Sequence, residues 1–338
     1  MKILITGGAG FIGCNYADRR MARGDEVVVF DSLSRPRTGL NLRWLEERHP
    51  SQLTFIRGDV RDAGAVIDAA RGADAVFHLA AQVAVTTSVA NPREDLEINV
   101  LGSFNVLEAV RAVCPDAPAI FASTNKVYGG LEDVEVVETA TRHEIPALPL
   151  GVSEDQPLDF HSPYGCSKGT ADQYFRDYSR IYGLRTVVLR QSCIYGTRQF
   201  GVEDQGWVAH FGISAATGRP MKIYGDGKQV RDLLWIDDLM DVYDAALEKV
   251  SVAAGRIYNV GGGPDNTLSI WAEFAPLLRE IGGRVPEVQY SDTRAGDQKV
   301  YVSDIRKAAR ELGWRPRVGT REGVETLWRW IVDNRSVF

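Results

Sequence analysis

The sequence predicts a doubly wound α/β fold, a parallel sheet with helices on both faces, joined to a smaller mixed α/β part. Two observations predict it. The chain opens on a short apolar run, Ile3-Leu4-Ile5-Thr6, followed at once by glycines spaced G-x-x-G-x-x-G at Gly7, Gly10 and Gly13 and by a helical pattern from Phe11 to about Arg23. Behind it, short apolar runs and helical stretches alternate through the first half, the pattern of parallel strands with helical crossovers.

Composition sets the outer bounds. The chain has 338 residues, 44% hydrophobic and 25% charged, enough for a full core in one large or two intimate domains. A net charge of -6 gives no general footprint for nucleic acid or an anionic membrane, so an anionic ligand has to be met by a local cluster of Arg and Lys. Cys14, Cys114, Cys166 and Cys193 are scattered without a C-x-x-C pair, which argues against a metal site and for a reduced, cytoplasmic protein. The first strand is too short for a signal sequence, and no apolar stretch reaches spanning length.

In chain order, the first strand, turn and helix have the chemistry of dinucleotide binding. Gly7 permits the turn, Gly10 lets backbone approach a pyrophosphate, and Gly13 lets the helix pack close on the strand. The helix N-terminus then offers free N–H groups to the phosphates. Glu26–Phe30 is a second strand closed by Asp31, 18 positions after Gly13. That is the place of a carboxylate that accepts the adenosine ribose hydroxyls and repels a 2′-phosphate. NAD is thereby favoured over NADP, although Arg35 and Arg37 follow and could recruit that phosphate. Leu53–Arg57 is a third strand, and Asp59 behind it either meets the adenine edge or caps a turn. Ala75–Leu79 is a fourth, with the small residues Ala80 and Ala81 leaving room for a cofactor. His78 within it reads as a satisfied core histidine, with no partner spaced for a metal. Pro92–Val113 is a long helix containing Asn99, and Ala119–Ser123 is the fifth strand.

Residues 129–158 turn polar, a surface excursion. His161 to Lys168 then opens a helix running to about Tyr182, which sets Tyr164 and Lys168 one turn apart on one face. A tyrosine keeps its proton at neutral pH, with a reference pKa of about 10. A lysine one turn away, and a positively charged nicotinamide, favour the phenolate. Tyr164 then serves as general base for a sugar hydroxyl, with Thr124 at the end of the fifth strand in the same proton network. Y-x-x-x-K alone is common on solvated helix faces; the glycine turn, Asp31 and Thr124 give it context.

The second half is shorter-grained. Thr186–Arg190 is a sixth strand, Trp207–Thr217 a helix, and Met221–Tyr224 and Leu233–Ile236 strands. Asp237–Val250 is a helix, Ile257–Val260 a strand, Ser269–Ile281 and Ser303–Leu312 helices, and Trp328–Val332 an apolar helical face. Arg231, Arg294 and Arg198 supply the positive charge for a diphosphate, which the planar guanidinium fork suits. Residues 1–190 read as the dinucleotide-binding part, with 233–262 returning to it, and 191–338 as the substrate part. The substrate cleft is expected between them.

On these residues the chain resembles the extended short-chain dehydrogenase/reductase superfamily, whose members modify nucleotide-linked sugars. The resemblance lies in Thr6–Gly13, His78-Leu79-Ala80-Ala81, Tyr128-Gly129 and the Tyr164/Lys168 pair, and it covers almost the whole chain. The longer stretches Ser123–Gly129, Leu158–Gly169, Asp204–Val208 and Gly227–Asp232 are similar to 2-epimerases of CDP-linked hexoses, either CDP-paratose and CDP-tyvelose or CDP-glucose and CDP-mannose.

The resemblance implies a Rossmann domain that retains NAD through a redox-neutral epimerisation. Tyr164 takes the C2 hydroxyl proton as hydride leaves C2; a 2-keto sugar reorients; the hydride returns to its other face. Thr124 stabilises the oxygen, and Lys168 holds the cofactor ribose and tunes Tyr164. Cofactor contacts are implied at Gly7, Gly10, Phe11, Ile12 and Gly13, at Asp31, Ser32, Ser34 and Arg35, at Asp59 and Val60, and at Leu79, Ala81, Gln82 and Asn99. Substrate contacts are implied at Gln82, Thr86, Thr124, Asn125, Cys193, Arg198, Arg231 and Arg294. Cys193 stands where many relatives carry Asn. A 4,6-dehydratase needs an acid beside the Thr, and Asn125 and Lys126 are there instead. A UDP-glucose-type 4-epimerase is the nearer rival. A non-catalytic nucleotide sensor is expected to lose Tyr164 or Lys168, and both are present. Homo-oligomerisation, as a dimer through helices near 92–113 and 165–182 or as a tetramer, is also implied.

Overall fold

The apolar runs of the first half become strands, all buried on both faces except the edge strand Leu53–Arg57, and their alternation sorts the core into two layers. A computed structural model describes residues 1–294 and 296–338. Seven parallel strands form the central sheet: β1 (Lys2–Thr6), β2 (Glu26–Asp31), β3 (Leu53–Arg57), β4 (Ala75–His78), β5 (Ala119–Thr124), β6 (Thr186–Gln191) and β7 (Arg256–Val260). Their order is β7-β6-β5-β4-β1-β2-β3, so the chain winds outward from β1 in both directions and leaves a switch point beside it. Ile3 and Ile5 of β1, with Phe77, Ile120 and Leu189, face α1 (Phe11–Ala22). Leu4, Val28, Val76, Phe121 and Val188 face the opposite layer. The register sets Thr6 beside His78 and Thr124 beside Gln191, which lines up the C-terminal strand ends along one edge.

The expected long helix over 92–113 is broken into three pieces. α2 (Pro92–Leu96) passes through a π turn at Glu97–Leu101 into α3 (Gly102–Val113). Such a wide turn accommodates an inserted residue and is frequent at functional sites; here it holds Asn99. The Tyr164 helix, α4, spans Ser162–Tyr182. The helix expected from Ser269 starts at Phe274, because Ser269 N donates to Glu273 Oε2 (2.8 Å) and Glu273 N to Ser269 Oγ (2.9 Å). This reciprocal pair, in the manner of a capping box, holds the turn outside the helix. Leu234–Trp235 is a strand of two residues and the next helix begins at Ile236; the helix expected from Ser303 begins at Arg306, and the last helix runs from Thr320 to Asp333. β7, from the second half, pairs with β6 along its whole length. No helix among the described residues is long and apolar enough to cross a membrane.

Candidate active site

The glycine turn is closed by its own packing. Gly7 has φ +72, and a Cβ there would lie 2.6 Å from Ala80 N; a Cβ at Gly13 would lie 2.3 Å from Gly7 O. Neither position has room for a side chain, so the turn, β4 and the start of α1 meet backbone to backbone. Gly10 precedes α1 in extended conformation and faces a cavity of about 880 Å³ that runs along the C-terminal edge of the sheet.

Asp31 stands at one end of that cavity. Its Oδ2 accepts from Ala9 N (3.0 Å) and its Oδ1 from Leu33 N (2.8 Å), which fixes the carboxylate against the glycine turn. Burial pushes its pKa up, while the N–H groups of Leu33, Ala9 and Gly10 act the other way. Ser32, Ser34 and Arg35 continue this wall. Arg37 turns away: its guanidinium donates to Phe338 O (3.1 Å) and lies over the Phe338 ring. Of the two arginines that could recruit a 2′-phosphate, only Arg35 faces the cavity. Asp59 also lines it, clasped by Arg61 Nε (3.0 Å) and Nη2 (2.6 Å). The helix-capping role beside it falls to Asp62, which accepts from Ala65 N.

His78 is satisfied on both nitrogens, by Thr6 Oγ1 (2.7 Å) and Ser103 Oγ (2.9 Å). Burial drives its pKa to about 3, so it stays neutral.

Tyr164 and Lys168 face the cavity from the first turns of α4, with Thr124 across from them at the end of β5. The phenol departs from expectation. Burial raises it to about 12; hydrogen bonding to Thr124 opposes this, Asp95 adds to it, and Arg35 opposes it. Lys168, 4% exposed, is taken down to about 7 by burial, against Asp172 and Asp95. Its ammonium sits 4.2 Å above the Phe121 ring. In the protein alone, burial sets the direction for both groups, holding the phenol up and the ammonium down.

Two expected contacts are not on the cavity wall. Gln82 folds onto its own loop, donating from Nε2 to Ala84 O (2.8 Å) and accepting from Ala84 N (2.5 Å). Asn99 lies behind that loop, accepting from Gln82 N (2.9 Å) and donating to Gln82 O (3.1 Å). Both shape the wall from behind. Gly7, Gly10, Phe11, Ile12, Gly13, Val60, Leu79, Ala81, Thr86 and Asn125 line the cavity, as do Cys193, Arg198, Arg231 and Arg294. Burial pushes the Cys193 thiol up, the environment of an inert sulfur.

Arg231 and Arg294 both line the cavity, each against carboxylates. Arg231, 5% exposed, donates from Nη2 to Asp297 Oδ1 (2.7 Å), and the Lys126 ammonium lies 3.9 Å from the same oxygen. Burial and Arg231 lower Lys126 to about 8. Arg294 lies 3.8 Å over the Tyr224 ring and donates to Glu203 O (3.2 Å). Arg198 instead covers Trp44 at 4.1 Å. Lys126, Glu203, Tyr224 and Asp297 were missed by sequence reasoning; only Lys126, inside the Ser123–Gly129 stretch, carried a signal. Glu138, His143 and Asp226 bring metal-capable atoms within 4.8 Å of one another, but Lys228 Nζ already bonds Glu138 there (2.6 Å).

Comparison with known proteins fits this geometry. The profile of the family described as GDP-mannose 4,6 dehydratase matches residues 4–327. The chain is 44% identical over 337 residues to CDP-paratose 2-epimerase from Salmonella typhi, covering 98% of this chain and 99% of that one. The chain belongs to the extended short-chain dehydrogenase/reductase superfamily. It is also similar to UDP-glucose 4-epimerase from Mycolicibacterium smegmatis, 32% identical over 325 residues and 96% of each chain. A solved superfamily structure, the UDP-glucuronic acid 4-epimerase from Bacillus cereus in complex with UDP-glucuronic acid and NAD, superposes with a TM-score of 0.85 at 28% identity over 100% of both chains. Homology thus makes the chain an enzyme of the nucleotide-sugar epimerase and dehydratase group, and the cavity described above is its candidate active site.

Proposed function

We propose that the protein catalyses NAD-dependent epimerisation at C2 of a CDP-linked hexose through a transient 2-keto sugar. The near full-length 44% identity to the Salmonella typhi CDP-paratose 2-epimerase carries this reading. In it, residues 1–190, with 233–262, hold NAD, and the rest of 191–338 hold the nucleotide sugar. Exposed apolar side chains on the two helices, including Phe104, Tyr174 and Ile181, suit pairing with a second copy.

The residues present fit NAD. The turn admits no Cβ at Gly7 or Gly13, and the fixed Asp31 carboxylate faces the cavity where the adenosine ribose would lie. When bound, NAD supplies the acceptor and donor for the C2 hydride. Tyr164 takes the proton from the C2 hydroxyl and later returns it. Thr124 donates to the C2 oxygen as it becomes a carbonyl. Lys168 binds the cofactor ribose and lends its charge to the phenolate. Arg231 and Arg294 grip the diphosphate, exchanging Asp297 and Glu203 for phosphate oxygens, so that the keto sugar turns without leaving.

The reading predicts where hydride moves. With CDP-sugar deuterated at C2, turnover is expected to slow and the label to stay at C2 of the product, read by NMR. Washout of label to solvent would mean enolisation, and an isotope effect at C4 alone would make the enzyme a 4-epimerase. The cofactor assignment has its own check. Asp31→Ala is expected to weaken NAD by about 10–100-fold, the range for a hydrogen bond to a charged group, and NADP by less, because the carboxylate also repels the extra phosphate. Equal losses in calorimetric titrations would show that Asp31 does not set the preference.

A further inference from the structure

Lys126 lines the cavity as a cation that the epimerisation does not use. It stands in the short 3₁₀ turn Asn125–Tyr128, two residues past Thr124, and its backbone N donates to Thr124 Oγ1 (3.3 Å). The turn therefore fixes where the side chain starts relative to the reacting hydroxyl. An ammonium carries three donors. Among the described residues Lys126 Nζ uses one of them, on Gly296 O (3.3 Å). Asp297 Oδ1, at 3.9 Å, lies beyond hydrogen-bond length. The remaining N–H groups are left for a ligand. The neighbouring cation is held differently. Arg231 Nη1 donates to Val230 O (2.7 Å) and Nη2 to Asp297 Oδ1 (2.7 Å), so its fork is anchored in place.

The charges around this point do not cancel. Lys126 and Arg231 flank the same oxygen of Asp297, and among the described residues neither has a second carboxylate. At Arg294 the balance is reversed, with the Glu203 and Asp204 carboxylates at 3.5 and 3.6 Å. Of these three cations, the uncompensated charge therefore sits at Lys126 and Arg231. A cation drawn out of bulk water is costly unless an anion meets it. Burial and the Arg231 charge lower the lysine to about 8, against Asp297 and Cys193, whose thiol is itself held up by burial. A sugar hydroxyl brings no charge to this point, whereas the diphosphate of a nucleotide sugar brings several anionic oxygens. We infer that Lys126 binds the diphosphate of the nucleotide sugar, as a third cation beside Arg231 and Arg294. The inference rests on the cavity taking a nucleotide sugar, as proposed above. Lys126 can meet phosphate with its unused N–H groups and keep its bond to Gly296. Its flexible stem suits an anion that shifts as the keto sugar turns, which an anchored guanidinium cannot follow.

The test is nucleotide binding to the full-length protein, with NAD present and no sugar, followed by calorimetry. Lys126→Met is expected to weaken CDP by about 10–100-fold, as for losing a charge-assisted hydrogen bond, and to leave cytidine unchanged. Lys126→Gln, which keeps an N–H for Gly296 O without the charge, should show the same loss. Unchanged CDP binding in Lys126→Met would make Lys126 only a tether for Gly296, and full recovery in Lys126→Gln would make its charge irrelevant. Either result overturns the inference, as does an equal loss for CDP and cytidine. Should neither variant fold, wild-type protein labelled with ¹³C at lysine Cε decides. The lysine with a midpoint of about 8 must titrate higher when CDP is bound and not when cytidine is; an unmoved midpoint overturns the proposal. UDP is run beside CDP. Binding of UDP alone would end the CDP reading, while the same comparison against uridine still tests Lys126. If neither diphosphate binds, the site and the inference fall together. No step of the test involves C2, so a failure of the C2 reading is separately visible.

Discussion

Tyr164→Phe is expected to fold and keep its cofactor while turnover falls by about 10²–10⁴, the contribution of a positioned general base. The ring stays, so the packing of α4 against β5 and the loop at residues 82–88 is kept. Only the oxygen that faces Thr124 across the cavity is removed. The sign of the pH dependence follows from the two shifted groups. In the protein alone the phenol ionises at about 12 and Lys168 gives up its proton at about 7. Raising the pH through 7 therefore discharges the lysine before a phenolate forms. A positive nicotinamide beside the phenol pulls it down. The pH–rate profile of the intact enzyme should thus show an ionisation well below 12, and Lys168→Met should move it upward. Steady-state rates for the three proteins across neutral and alkaline pH check this. A Tyr164→Phe variant that keeps full turnover would remove the phenol from the chemistry.

The central sheet and the cofactor edge of the cavity were legible in the sequence because local rules govern them. A strand followed by G-x-x-G-x-x-G and a helix predicts the tight turn found at Gly7–Gly13, and Asp31 follows from its place at the end of the second strand. Tyr164 and Lys168 were legible as one helical turn. What was not legible depends on contacts far apart in sequence. The π turn at Glu97–Leu101 has no local signature; it is held by Asn99 reaching to Gln82 and Ser167, the latter 68 positions away. The direction of the Tyr164 shift required knowing how deeply α4 is buried, which helical periodicity does not say. Gln82 looked like a contact from its place after β4, but its amide is consumed by Ala84 two residues on. The meeting of Arg294, Tyr224 and Glu203 joins three separate segments, so only the arginine could be singled out, by its chemistry.

The wall behind Thr124 supplies the second large effect. Arg190 and Asp172 are 2% and 0% exposed at their side chains and form a fork-to-fork pair. Ser123, the residue before Thr124, donates to Asp172. Arg190 Nη1 also donates to Tyr128 Oη (2.9 Å), which passes its own proton to Asn259 Oδ1 (2.7 Å). The network pins β5, β6, β7 and α4 together immediately behind Thr124. Arg190→Met is expected to cost about 3–5 kcal/mol of folding stability, because it strands a buried carboxylate and leaves Tyr128 without its donor. The double variant Arg190→Met/Asp172→Leu should recover most of that loss, since two apolar side chains of similar size bring no charge to desolvate. Urea unfolding midpoints at fixed cofactor concentration separate the cases. If both variants are equally unstable, the loss comes from packing and not from the stranded charge. The variants should also differ at the site. In Arg190→Met the freed Asp172 charge raises the Lys168 midpoint, whereas in the double variant its removal lowers it. The buried pair thus sets stability and lysine charge through the same carboxylate, and the two readouts must move together.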